Sequence, residues 1–112
     1  MSAITTHVLD TAGGRPAAGV PAVLELRSGV DTWTEAGHGT TDADGRIRDL
    51  LIGPLQTGVY RLTFDTGTYF RAQGVQGFYP CVAIVFEIRD ASQHHHVPLL
   101  LSPFGYSTYR GS

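Results

Sequence analysis

Fourteen glycines and six prolines interrupt this 112-residue chain, and the runs between them are short and rich in Val, Ile, Thr, Tyr and Phe. Punctuation this frequent leaves no room for long helices, because glycine and proline end regular structure while β-branched and aromatic residues suit a pleated surface. The spacing predicts eight strands, over residues 3–10, 21–28, 32–40, 46–50, 58–65, 81–89, 95–101 and 105–110. Eight short strands predict an all-β, two-sheet sandwich. One short helix fits in T-G-T-Y-F-R-A-Q-G, with Thr66 or Thr68 as its cap and length for at most two turns. A chain this short is expected to build one core, and so one domain over residues 1–112.

Hydrophobic residues make up 42% of the chain and charged residues 16%, which is the balance of a folded protein with a real core. The eight basic residues, all arginine, are scattered among ten carboxylates for a net charge of −2. That distribution excludes the clustered basic surface that nucleic acid or an acidic membrane requires. No apolar run reaches the roughly 18 residues of a bilayer span, and the polar start M-S-A-I-T-T-H lacks the parts of a signal peptide, so a cytoplasmic protein is expected. The lone cysteine, Cys81, forms no internal disulfide; at the head of C-V-A-I-V-F it reads as a small buried hydrophobe without a chemical role.

Within T-T-D-A-D-G-R-I, the Asp44-Gly45 pair predicts a tight turn, and the strands on either side of it are expected to pair. The D-x-D-G spelling resembles the start of a calcium loop. Its sixth position would be Ile47 in place of glycine and its twelfth Gly53 in place of glutamate, which excludes calcium.

Strand alternation assigns the histidines to a face. In the first strand Ile4, Thr6 and Val8 share one side, and Thr5, His7 and Leu9 the other. In the seventh, Val97, Leu99 and Leu101 share a side opposite His94, His96, Pro98 and Leu100. With the apolar sets turned inward, His7 and His96 both point out of the sandwich beside Leu9 and Leu100. A partly apolar outer patch of this kind suits contact with another subunit, and imidazole is the side chain able to move protons near neutral pH. A zinc site made of His94, His96 and His7 has the right residue type but no neighbouring acid to orient its imidazoles. His38, between two glycines, reads as a loop residue.

The ending S-P-F-G-Y-S-T-Y-R-G-S carries a turn and then an eighth strand, along which Tyr106, Thr108 and Arg110 alternate with Ser107 and Tyr109. Five separated stretches then point to one family: T-T-H-V-L-D-T at 5–11, G-x-P-A-x-G-V-P at 14–21, T-D-A-D-G-R at 41–46, H-V-P-L-L-L-S-P at 96–103 and Y-R-G-S at 109–112. On these the chain resembles the 5-hydroxyisourate hydrolases, transthyretin-related enzymes of urate breakdown, from end to end. The closing Y-R-G-S is the mark that separates these hydrolases from transthyretin, the hormone carrier of the same fold.

The resemblance implies a transthyretin-like sandwich assembled as a homotetramer, with active sites at the dimer–dimer interface. It implies catalytic positions at His7, Arg46 and His96, with Tyr109 and Ser112 lining the same site, and no metal or other cofactor. The substrate implied is 5-hydroxyisourate, whose ring amide is opened by water to 2-oxo-4-hydroxy-4-carboxy-5-ureidoimidazoline. On this reading His7 and His96 activate the water and Arg46 holds substrate oxygens. Tyr109 stacks on the ring, and Ser112 brings a hydroxyl and a terminal carboxylate. Arg46 is otherwise a turn residue paired with Asp42 or Asp44, and Arg110 is structural. The chain departs from the family in one place: His95 stands where tyrosine is usual between the two histidines, on the face away from His96. The competing expectation is a non-catalytic, transthyretin-like carrier of a small ligand.

Overall fold

The computed structural model describes residues 3–112; of the expected domain, residues 1 and 2 lie outside the described residues. Among the described residues the elements follow in the order β1 (Ile4–Asp10), β2 (Arg15–Pro16), β3 (Pro21–Arg27), β4 (Trp33–Thr40), β5 (Arg46–Ile47), β6 (Gly58–Phe64), α1 (Thr66–Ala72), β7 (Val82–Ile88), β8 (His95–Ser102) and β9 (Gly105–Thr108). One sheet runs β2-β1-β8-β9 with β5 also on β1, and the other runs β4-β3-β6-β7. Side chains of the two inner faces meet between them: Ile4, Val8 and Leu99 from the first, Leu24, Leu62 and Phe64 from the second, all fully buried. The expected sandwich is present. Strand alternation held on both histidine-bearing strands, since apolar surface withdrawn from water is the dominant favourable term in folding.

Four local expectations need correcting. The strand expected over 46–50 is only Arg46–Ile47, and it does not pair with β4; it pairs antiparallel with β1, Thr6 opposite Ile47 and His7 opposite Arg46. The 41–45 segment crosses from one sheet to the other, so the turn at Asp44-Gly45 joins two sheets instead of closing a hairpin. A ninth strand, β2, also pairs with β1, through Leu9–Pro16 and Asp10–Arg15. Cys81 is exposed, because it precedes the first residue of β7. His38 lies within β4, exposed, with its Nδ1 2.9 Å from Glu35 Oε2.

The helix cap is Asp65, which precedes both threonines proposed for it. Its Oδ1 accepts from the Thr68 N–H at 3.1 Å and its Oδ2 from the Thr68 hydroxyl at 2.7 Å, which holds the carboxyl below its ordinary range. Thr66 is unavailable for that work. It is fully buried and donates to the Tyr79 carbonyl at 3.0 Å. Tyr69, one turn on, donates to Asp10 Oδ2 at 2.7 Å and so ties the helix to the end of β1.

Leu99 sits on the inward face of β8 with no exposure. Leu99→Ala is expected to lower unfolding free energy by about 2–5 kcal/mol in a denaturant titration. Val30→Ala, at a side chain 91% exposed, is expected to change it by no more than about 0.5 kcal/mol.

Candidate active site

Three segments far apart in sequence meet on the outer face of the β1 sheet. β1 and β8 run parallel with Thr5 opposite His96 and His7 opposite Pro98, and β5 brings Arg46 opposite His7 on the other edge of β1. His7 and His96 are half-buried, as alternation requires. A cavity of about 180 Å3 opens over the junction, lined by Thr5, Arg46, Arg48, His94, His96 and Ser112. Its donors are arginine, imidazole and hydroxyl, a set suited to a ligand rich in carbonyl or anionic oxygen.

Arg46 is placed by the turn before it. Asp42 Oδ1 accepts from the backbone N–H groups of Asp44 and Arg46, both at 2.9 Å, and these bonds hold the Asp42 carboxyl below its ordinary range. Gly45 takes φ of 77° and passes its carbonyl to Val8 N–H at 2.7 Å. A Cβ there would strike the Val8 carbonyl, so only glycine lets the turn lie this close to β1. The pairing of Arg46 with Asp42 or Asp44 does not form. Arg48 bonds to Asp42 Oδ2 at 3.3 Å, and among the described residues the Arg46 guanidinium has no ion-pair partner.

His7 is not among the residues lining this cavity, although its charge bears on His96. Its Nε2 lies 2.8 Å from the Asp44 carbonyl. A carbonyl only accepts, so Nε2 carries the hydrogen and Nδ1 of the neutral ring holds the free lone pair. His96 Nδ1 lies 2.8 Å from Thr5 Oγ1, and His94 Nε2 lies 3.0 Å from the same oxygen. Burial, then electrostatic interaction with His7, Arg46 and His94, push His96 below the ordinary imidazole range, while the Thr5 backbone works the other way. The shift favours the neutral ring, the form able to accept a proton.

The chain's last residues cross His96. Gly111 N–H donates to the His96 carbonyl at 2.8 Å, and a Cβ on Gly111 would fall 2.6 Å from His96 Cδ2. Ser112 thereby reaches the cavity. Tyr109 does not, contrary to expectation: it lines a second cavity of about 270 Å3 with Phe86, Glu87, His95 and Arg110, and His96 borders both. Arg110 there donates to Gln93 Oε1 at 3.0 Å, in keeping with a structural role. His95 faces away from the first cavity, 6% exposed, and its Nδ1 has no hydrogen-bond partner. Burial first, and the Arg110 charge after it, push its pKa down.

The histidines considered for zinc do not converge as ligands. His94 and His96 both turn to Thr5, His7 turns to Asp44, and among the described residues no three His, Cys, Asp or Glu side chains are grouped to hold a metal ion. Thr5 and Arg48 were missed as site residues. Both were within reach, since Thr5 shares its strand face with His7, and Arg48 lies two residues beyond Arg46.

The HIUase/Transthyretin family model matches residues 4–111. The 5-hydroxyisourate hydrolase of Caulobacter vibrioides is 48% identical over 116 aligned residues that cover all of both chains. Among solved structures, the 5-hydroxyisourate hydrolase of Klebsiella pneumoniae superposes with a TM-score of 0.85 at 38% identity, covering 97% of this chain and 98% of that one. Sea bream transthyretin in complex with thyroxine gives a TM-score of 0.90 at 33% identity, covering 98% of this chain and 95% of that one.

Followed by NMR, His96 is expected to titrate below the range of a free imidazole. Arg46→Met removes one positive neighbour and should move that midpoint upward but not fully, because burial, the largest cause, remains. An unchanged midpoint would show that the Arg46 charge does not reach the ring.

Proposed function

The chain belongs to the HIUase/Transthyretin family, and from that premise we propose that it hydrolyses 5-hydroxyisourate, a small-molecule substrate of urate degradation. The product is 2-oxo-4-hydroxy-4-carboxy-5-ureidoimidazoline. The observation that carries this reading is the convergence of Arg46, His96 and Ser112, with Thr5 and His94, on one open cavity. Opening a cyclic amide needs an activated water, donors for the carbonyl oxygen as it gains charge, and a proton for the departing nitrogen.

His96 takes the water proton, and its depressed pKa supports that role by keeping the ring unprotonated in the resting site. His7, through its free Nδ1, orients the water from the neighbouring strand. Arg46, fixed in charge and without an ion-pair partner among the described residues, holds the substrate oxygens. The Ser112 hydroxyl binds at the cavity wall. Tyr109 contributes from the far side of His96 and not from the Arg46 cavity. No metal takes part. The assembly is a homotetramer with the sites at its dimer–dimer interface, a reading supported by the half-buried Leu9 and Leu100 on the histidine face.

The likeness to a thyroxine-bound transthyretin favours a second reading, a carrier that performs no chemistry. One assay separates them. Urate oxidase generates 5-hydroxyisourate, and its ultraviolet decay is followed with and without the protein; a hydrolase speeds the decay and a carrier leaves the spontaneous rate unchanged. His96→Asn is expected to lower turnover at least about a hundredfold with the oligomer intact by sedimentation, and a near-normal rate would reject the role. Exhaustive chelation is expected to leave activity unchanged. Loss that zinc restores would overturn the metal-free scheme.

A further inference from the structure

The Thr5 hydroxyl has one hydrogen and two imidazole neighbours. Its Oγ1 stands 2.8 Å from His96 Nδ1 and 3.0 Å from His94 Nε2, on a residue only 6% exposed. A hydroxyl donates one hydrogen bond, and a neutral imidazole has one donor and one acceptor nitrogen. With the Thr5 hydrogen given to one of the two rings, the three groups have two self-consistent arrangements. In one, His96 donates from Nδ1 to Thr5 and Thr5 donates to His94 Nε2, which leaves His96 Nε2 with a free lone pair. In the other every bond is reversed, and His96 Nε2 is already protonated. Only the first arrangement lets His96 accept a proton from water at Nε2.

We propose that Thr5 and His94 are positioning residues that set the His96 tautomer and form a short proton relay, His96 Nδ1 to Thr5 Oγ1 to His94 Nε2. The inference rests on the hydrolase reading and deepens it. As water gives its proton to His96 Nε2, the Nδ1 proton passes to Thr5 Oγ1 while the Thr5 proton passes to His94 Nε2. The hydroxide keeps its electron pair and forms the bond to the ring carbonyl carbon. His94 then carries the positive charge, and His96 is neutral with a hydrogen on Nε2. When the carbon–nitrogen bond breaks, Nε2 gives its proton to the departing nitrogen and the relay runs backward, returning a proton to Nδ1. The exposures of the two rings favour this direction. His94 is exposed and its cation is hydrated, whereas His96 is half-buried beside Arg46 and His7.

The test uses Thr5→Val, which keeps the side-chain shape without the hydroxyl, Thr5→Ser, which keeps the hydroxyl, and His94→Phe. Thr5→Val and His94→Phe should each lower kcat by about a hundredfold with KM changed by less than about twofold, and Thr5→Ser should recover most of the loss. The double variant Thr5→Val/His94→Phe should lose no more than either single one, since a relay is broken once. Nitrogen-15 NMR should find His96 as the Nδ1–H tautomer in the native protein and shifted toward Nε2–H in Thr5→Val. Wild-type kcat in Thr5→Val, additive losses in the double variant, or a native His96 protonated at Nε2 would overturn the proposal. If Thr5→Val fails to fold, Thr5→Ser, His94→Phe and the native tautomer decide. A native protein that leaves 5-hydroxyisourate untouched would defeat the hydrolase reading, while the tautomer comparison would still test the coupling by itself.

Discussion

The parallel pairing of β1 with β8 is the contact on which everything else rests. It joins residues about ninety positions apart, Thr5 with His96 and Val8 with Leu99, and loop closure over that distance costs entropy that local structure cannot offset. The pair is therefore held by what its two faces bury. One face delivers Ile4, Val8, Val97 and Leu99 to the core; the other delivers His7 and His96 to the cavity side. The Thr6 hydroxyl, 1% exposed, adds a bond to the Val97 carbonyl at 2.6 Å. A slip of one residue would turn the histidines inward and the aliphatic residues out. Register and chemistry are fixed by the same burial.

The second requirement is the approach of Arg46, supplied by the tight turn at Gly45. Asp42 collects two backbone N–H groups with one oxygen and Arg48 with the other, which leaves Arg46, of these two neighbouring arginines, without an ionic partner among the described residues. In this way a carboxylate outside the cavity decides which of two neighbouring arginines is available to a ligand. Burial first, and the neighbouring charges that include Arg46 after it, push the His96 pKa down, so the group that offers itself to substrate oxygens also bears on the base.

Strand alternation alone placed His7 and His96 on the outer face, because a period of two survives whatever the strand pairs with. The likeness in T-D-A-D-G-R and Y-R-G-S added Arg46, Tyr109 and Ser112. Pairing partners were less legible. The turn at Asp44-Gly45 looked like a hairpin because local turn chemistry is the same whether a chain folds back or changes sheets. Tyr109 joined the Arg46 site through the likeness alone, and neither likeness nor alternation foresees that it lines a second cavity on the other side of His96. Thr5 shares a strand face with His7, but its meaning comes from two rings that approach it from the opposite end of the chain. Cys81 and the Asp65 cap are errors of one to three positions at element ends, where apolar runs and capping residues overlap.

Gly111 contributes no functional group, yet it lies so close over the His96 imidazole that a Cβ there would fall 2.6 Å from His96 Cδ2. A single methyl there would either tilt the His96 ring away from Thr5 or lift the strand end that carries Ser112. Loss of function at this position would resemble the removal of a reactive side chain, although no reactive atom had been touched. In this part of the molecule the empty volume beside the ring is as much a determinant of chemistry as the ring itself.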